Sequence, residues 1–191
     1  MQTPYDNLKT LILGGGCFWC IEAVLWRVTG VRSVESGYAN GQVANPTYEA
    51  VCQGDTGHAE VVRVVYDPAQ LSLTQLLEVF FAVHDPTTLN RQGHDVGTQY
   101  RSAIYWADPQ DEAPVRAWVQ AQQAQPDFAN RPIVTELAPL TMYYAAEGYH
   151  QRYFEQQPHA GYCAFVVRPK IDKLLQNFAP LARPVPPEPG A

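Results

Sequence analysis

Long apolar runs are missing from this 191-residue chain. None approaches the roughly 20 residues needed to cross a bilayer. The first ten residues are polar and include Pro4 and Asp6, which is not the form of a secretory signal. No membrane partner is expected, and the expected location is the cytoplasm. Excess positive charge is missing too: 13 Lys and Arg against 19 Asp and Glu leave a net charge of −6, the wrong sign for a general nucleic-acid binder. Cysteine is scarce. Cys17, Cys20, Cys52 and Cys163 are too few, in a chain of this length, for the disulfide framework of a small secreted scaffold. There is no internal repeat. What the chain does have is 46% hydrophobic residues, enough for one ordinary core. The expectation is a monomer with a single domain over residues 1–179. Residues 180–191, rich in proline, can neither propagate a helix nor join a central strand and are expected to be a disordered tail.

Residues 8–13 form a short apolar run that reads as a strand and is broken by Gly14, Gly15 and Gly16. Ile21, Val24, Leu25 and Val28 then recur at helical spacing, and Gly30 closes that helix. Residues 31–38 are a weaker strand candidate, and residues 59–66, with four valines, a clear one. Ser72 is placed to cap a helix running to residue 82. A polar loop covers residues 85–99, long enough to imply function. Residues 102–106 read as a strand, and a helix starts at Pro109 or Pro114 and runs to residue 124. Residues 132–137 read as a strand, 145–156 as a helix, 162–167 as a strand and 171–178 as a closing helix. Helices and strands mix without strict alternation, which predicts an α+β layered domain.

Cys17 follows three glycines and opens the first predicted helix, taken as amphipathic. A helix start carries unpaired N–H groups and a partial positive charge, and both favour a thiolate. A free thiol near ~8.5 can be lowered into the physiological range at such a position. The glycines would let a partner approach the sulfur. Cys17-Phe-Trp-Cys20 also fits the C-x-x-C pattern of dithiol–disulfide oxidoreductases, so that activity is the alternative. A zinc site is disfavoured because no second ligand pair has matching spacing.

The segment Gly14-Gly-Gly-Cys-Phe-Trp-Cys20 closely resembles the active-site motif of the methionine sulfoxide reductase A family. Gly37-Tyr-Ala-Asn-Gly41, Asn45-Pro-Thr-Tyr-Glu49, residues 51–60, residues 84–102, Ala146-Glu-Gly-Tyr-His-Gln151 and Gly161-Tyr-Cys163 resemble further family blocks in the same order. The resemblance spans about residues 8–178. It implies an α+β two-layer sandwich around a mixed β-sheet with flanking helices, having a ferredoxin-like core and long functional loops. It also implies reduction of the S epimer of methionine sulfoxide, free or in oxidised proteins and peptides, without cofactor or metal and with thioredoxin as reductant.

That chemistry needs a nucleophile, proton donors for the sulfoxide oxygen and an apolar pocket for the S-methyl group. By resemblance Cys17 attacks the sulfur and retains the oxygen as a sulfenic acid. Glu60 donates a proton, which requires a carboxyl raised by burial or by a nearby negative charge. Tyr48 and Tyr100 hold the oxygen, and Phe18 and Trp19 form the methyl pocket. Asp95 either binds the substrate backbone or is a turn residue. Structural roles are expected for His58, His84 and His150, bonding loop backbone, and for Arg101 as an ion-pair partner of the loop. Cys163 matches the family's recycling cysteine and is the favoured resolving thiol. Cys20 is a second candidate, at the expense of unwinding the helix. Cys52 is given no chemistry.

Overall fold

The computed structural model of the protein describes residues 7–183. Six strands build one mixed sheet: β1 (Lys9–Gly14), β2 (Val31–Ala39), β3 (Ala59–Tyr66), β6 (Ala103–Trp106), β7 (Glu136–Pro139) and β8 (Tyr143–Ala145). Their order is β7-β6-β1-β3-β2-β8. Only β6 and β7 run parallel; β1 with β3, β1 with β6, β2 with β3 and β2 with β8 are antiparallel. Strands β4 (Arg91–Gln92) and β5 (Asp95–Val96) form a separate two-residue hairpin inside the expected 85–99 loop. Among the described residues no helix is long and apolar enough to cross a membrane.

Helix α1 (Phe18–Leu25) lies between this sheet and a second shell of helices: α3 (Leu73–Val83), α5 (Tyr153–Gln156) and α6 (Arg168–Asn177). The amphipathic expectation for α1 is therefore corrected. Apart from Trp19, every residue of α1 is buried, because elements pack on nearly all its sides, and a helix with that environment is hydrophobic all round. One core combines Leu11, Leu13, Val62, Val64, Ile104 and Trp106 of the sheet with these helices. Ile12, Ala39, Val61 and Tyr105 point to the other face, where Ala138, Leu140 and Tyr143 cover them. Single-residue alternation along β1 thus serves two faces.

Local chemistry explains most element ends. Ser72 Oγ accepts the Gln75 amide at 3.2 Å, while Gln75 Oε1 accepts the Ser72 amide at 2.9 Å. This reciprocal capping box starts α3 as expected. Helix α2 (Tyr48–Gln53) was not anticipated; Thr47 caps it and Gly54, at φ 83°, ends it. Helix α4 (Glu112–Gln123) tolerates Pro114 because a first-turn proline lacks only an amide that has no helical acceptor.

Two expected elements are replaced. The helix expected over 145–156 is instead the end of β8, a 3-10 turn (Gly148–His150) and the short α5. Long-range bonds claim this segment. β8 pairs with Gly37–Ala39, and the Gln151 side chain bonds both the amide and the carbonyl of Ser36 at 2.9 Å. The strand expected over 162–167 is a π-helical turn (Cys163–Val167) that leads into α6. Cys163, Val167, Ile171 and Leu174 form a helical stripe buried in the main core. Residues 182 and 183, expected in the tail, are held against the fold: Ala182 bridges Val28, and Arg183 bonds the carbonyls of Arg27, Val28 and Val31. Residues 184–191, where the rest of that tail falls, lie outside the described residues.

Candidate active site

Cys17 occupies the N-cap of α1, with extended rather than helical dihedrals (φ −56°, ψ 126°). Gly16 before it is left-handed at φ 88°, and a Cβ there would lie 2.6 Å from Gln92 Cβ. Gly16 therefore admits the 85–99 loop against the site. Gly16→Ala is expected to cost about 2–4 kcal/mol from the left-handed backbone and the overpacked contact together, read as a lowered urea midpoint.

Glu60 comes from β3, beside β1, and is 1% exposed. Its Oε2 accepts the Phe18 amide, the first of α1, at 3.2 Å. Burial pushes this carboxyl up to about 8, opposed by the Phe18 N–H and reinforced by the charges of Asp95 and Cys20. It is a carboxylic acid at neutral pH. The helix start thus spends its free amide on Glu60, and the expected acidification of Cys17 does not follow. Burial, a thiol hydrogen bond with Cys20 and the Glu60 charge all push the Cys17 thiol up. Cys20 takes the other share: its bond with Cys17 and the charge of Lys170 bring it down to about 7 against the effect of burial.

Tyr48 opens α2, and its amide donates to Glu147 Oε1 at 2.9 Å. Glu147 Oε2 accepts the Tyr38 hydroxyl at 2.7 Å. Tyr100 lies on a 3-10 turn (Thr98–Tyr100). Burial raises both the Tyr48 and Tyr100 hydroxyls, and both feel Glu60, so they stay protonated as donors. Tyr100 also feels Asp95 and Cys17. Phe18 is buried, with its ring 6.5 Å from Tyr48 and 5.1 Å from His150. Trp19 is half-buried and stacks on Tyr153 at 3.9 Å, while its indole N–H donates to His150 Nδ1 at 3.1 Å.

Asp95, in the β4–β5 hairpin, accepts the Tyr162 hydroxyl at 2.8 Å. That hydroxyl also lies 3.8 Å from Cys20 Sγ. Tyr162, Glu147 and Tyr153 were not singled out from the sequence. Tyr162 stands beside Cys163 and Glu147 within a recognised block, so position relative to those motifs was the available signal. Cys163 is fully buried, and burial, with the charges of Cys20 and Glu155, pushes its thiol up. Cys52 is exposed, at the end of α2. His58 bonds the Gly41 amide at 3.1 Å and the Val43 carbonyl at 2.7 Å, and His84 bonds Phe80 O and Ser102 Oγ. Arg101 pairs with Glu136 at 2.7 Å and bonds the carbonyls of Thr98 and Gly57. Among the described residues no cluster of three or more His, Cys, Asp or Glu could hold a metal ion.

A buried acid and two thiols stand at one helix start, beside tyrosines and an aromatic wall, on an α+β fold of a kind found in oxidoreductases. The family model described as Peptide methionine sulfoxide reductase matches residues 9–181. The chain is 52% identical to the peptide methionine sulfoxide reductase MsrA of Ralstonia nicotianae, over 93% of this chain and 95% of that protein. Its fold is similar to methionine sulfoxide reductase A of Corynebacterium diphtheriae, with TM-score 0.77, 39% identity, and 82% of this chain and 78% of that one covered. Reduced Mxr1 from Saccharomyces cerevisiae gives TM-score 0.77 at 36% identity, covering 85% and 92%. The same protein in complex with Trx2 gives 0.55 at 24% identity, covering 80% and 89%. The chain belongs to the peptide methionine sulfoxide reductase family and is a reductase of the MsrA type.

Proposed function

We propose that this enzyme reduces the S epimer of methionine sulfoxide, in proteins or free, with Cys17 as nucleophile and Glu60 as acid. The observation that carries the reading is Glu60, buried and uncharged at neutral pH, bonded to the amide next to Cys17. Cys17 attacks the sulfoxide sulfur and forms an S–S bond; the oxygen then transfers to Cys17, so that this S–S bond and the substrate S–O bond break as the Cys17 S–O bond forms. The products are methionine and the Cys17 sulfenic acid, R₂SO + Cys-SH → R₂S + Cys-SOH. No net proton is consumed. Glu60 protonates the leaving oxygen and recovers a proton from the Cys17 thiol, so a resting neutral thiol suits the balance. Tyr48 and Tyr100 donate hydrogen bonds to the oxygen. Phe18 and Trp19 enclose the methyl group, and Asp95 holds Tyr162 over the thiols.

By resemblance Cys163 is the favoured resolving thiol; because it is fully buried and Cys20 lies one turn from Cys17, we place Cys20 first: it attacks the sulfenic acid, releasing water and forming Cys17–Cys20. Because Cys17 sits outside the helical dihedrals, its side can adjust without unwinding α1. Cys163 next displaces Cys17 from Cys20, and the Cys20–Cys163 disulfide passes to a thioredoxin-type reductant. Strands β1, β2, β3 and β6 with α1 and α3 are read as a ferredoxin-like core; the β-α-β-β-α-β order with antiparallel neighbours supports this. The catalytic domain acts as a cytoplasmic monomer.

Single-turnover assays with the separate S and R epimers test the reaction. Methionine is expected from the S epimer alone. Product from neither epimer would leave the thiol–disulfide alternative. Peptide mapping after one turnover tests the order of thiols: Cys163→Ser should accumulate Cys17–Cys20, and Cys20→Ser should leave the sulfenic acid. A Cys17–Cys163 disulfide formed at the wild-type rate in Cys20→Ser would overturn the relay.

A further inference from the structure

The chemistry above leaves one buried carboxylate on α1 unused. Glu22 is 1% exposed and lies one helical turn beyond Trp19, on the same side of the helix. Its Oε2 accepts the Arg152 amide at 2.9 Å, and Oε1 has no hydrogen-bond partner. A carboxylate so placed is costly to bury. Burial raises it to about 7. The charges that shift Cys17 and Glu60 come from Cys20, Glu60 and Asp95 rather than from Glu22, so a direct electrostatic role in the reaction has no support.

What Glu22 does hold is an unusual piece of backbone. Arg152 is left-handed at φ 55°, a conformation few non-glycine residues adopt. Its guanidinium lies 3.9 Å from the centre of the Trp26 ring. The next residue, Tyr153, opens α5 and lies flat on Trp19, with 10° between the planes. α1 therefore presents Trp19 to the ring of Tyr153 and, one turn on, Glu22 to the amide immediately before it. Two contacts on one helix face clamp both the ring and the turn that aims it.

We propose that Glu22 is a positioning residue for substrate binding: by fixing the Arg152 amide it seats Tyr153, and through that stack it sets the orientation of Trp19. The inference rests on Trp19 forming a wall of the methyl pocket. Burial pushes the Glu22 carboxyl up toward neutrality, so the uncharged glutamine is a close substitute. Its amide oxygen retains an acceptor for Arg152.

The test is steady-state kinetics with a methionine sulfoxide peptide and saturating dithiothreitol. Glu22→Ala is expected to raise KM about tenfold with kcat changed less than about twofold, the pattern of lost binding rather than lost chemistry. Glu22→Gln should stay within about twofold of wild type in both parameters. Tyr153→Leu should reproduce the KM rise, and adding Glu22→Ala to it should change KM less than about twofold further, the non-additivity of residues acting through one contact. Equal losses in the Ala and Gln variants, a loss in kcat, or an undiminished Glu22→Ala effect in the Tyr153→Leu background would overturn the inference. The Tyr153→Leu result decides even if Glu22→Ala does not fold: an unchanged KM there overturns it. Trp19→Ala separates the two levels. An unchanged KM in that variant would remove the pocket reading and this inference together. A raised KM there, with normal Glu22→Ala and Tyr153→Leu enzymes, would remove this inference alone.

Discussion

Cys17→Ser is expected to abolish turnover, lowering kcat/KM by at least about 10³-fold. A serine hydroxyl fits the same space and keeps the N-cap position, so folding should be unchanged. What is lost is the sulfur that accepts oxygen. Serine cannot become the sulfenic acid that carries the oxygen away, and no other thiol faces Glu60 from the same position. Cys20 is one turn inside α1 and 1% exposed, and Cys163 is fully buried behind it. Methionine formation in a single turnover, measured by chromatography, checks the prediction. A stoichiometric burst from Cys17→Ser would show that another cysteine is the nucleophile.

Glu60→Gln is expected to lower kcat by about 10²–10³-fold, the range of a positioned general acid. The pH dependence distinguishes this role from a structural one. Glu60 donates in its protonated form and is raised to about 8. Wild-type kcat/KM should therefore be level below that value and fall as pH rises through it, when the acid ionises. Above it the new Glu60 charge also opposes thiolate formation at Cys17, so both effects act in the same direction. Glu60→Gln keeps an acceptor for the Phe18 amide but has no proton to lose. Its lower activity should show no fall near pH 8. A profile in the variant that still falls there would assign the titration to another group, and a variant with wild-type kcat would remove Glu60 from the mechanism.

Several features were legible because local chemistry decided them. The Ser72–Gln75 capping box and the periodic leucines make α3 helical wherever it packs. The valines of β3 suit a strand buried on both faces. The three glycines before Cys17 mark a sharp entry to a helix. Where reading failed, a distant partner had intervened. Residues 145–156 have a helical apolar pattern, but β2 offers an open edge at Gly37–Ala39 and Ser36 offers its backbone to Gln151. Residues 162–167 look like a strand through their β-branched and aromatic content. They wind as a π-turn because Cys163 and Val167 must reach the same core as Ile171 and Leu174.

The candidate site divides along the same line. The motifs by themselves determined the reductase family, since several ordered blocks are properties of short segments, and Cys17 and Glu60 stand out as the expected nucleophile and acid through that resemblance. Protonation states were decided only by tertiary structure. A sequence shows that Cys17 stands at a helix N-terminus; it does not show that Glu60, from a strand 43 positions away, takes the first helix amide and is itself buried. Burial pushes both the Glu60 carboxyl and the Cys17 thiol up, toward their protonated forms. A pKa depends on what surrounds a group in three dimensions, and those surroundings exist only once β3, α1 and the 147–162 segment have packed together.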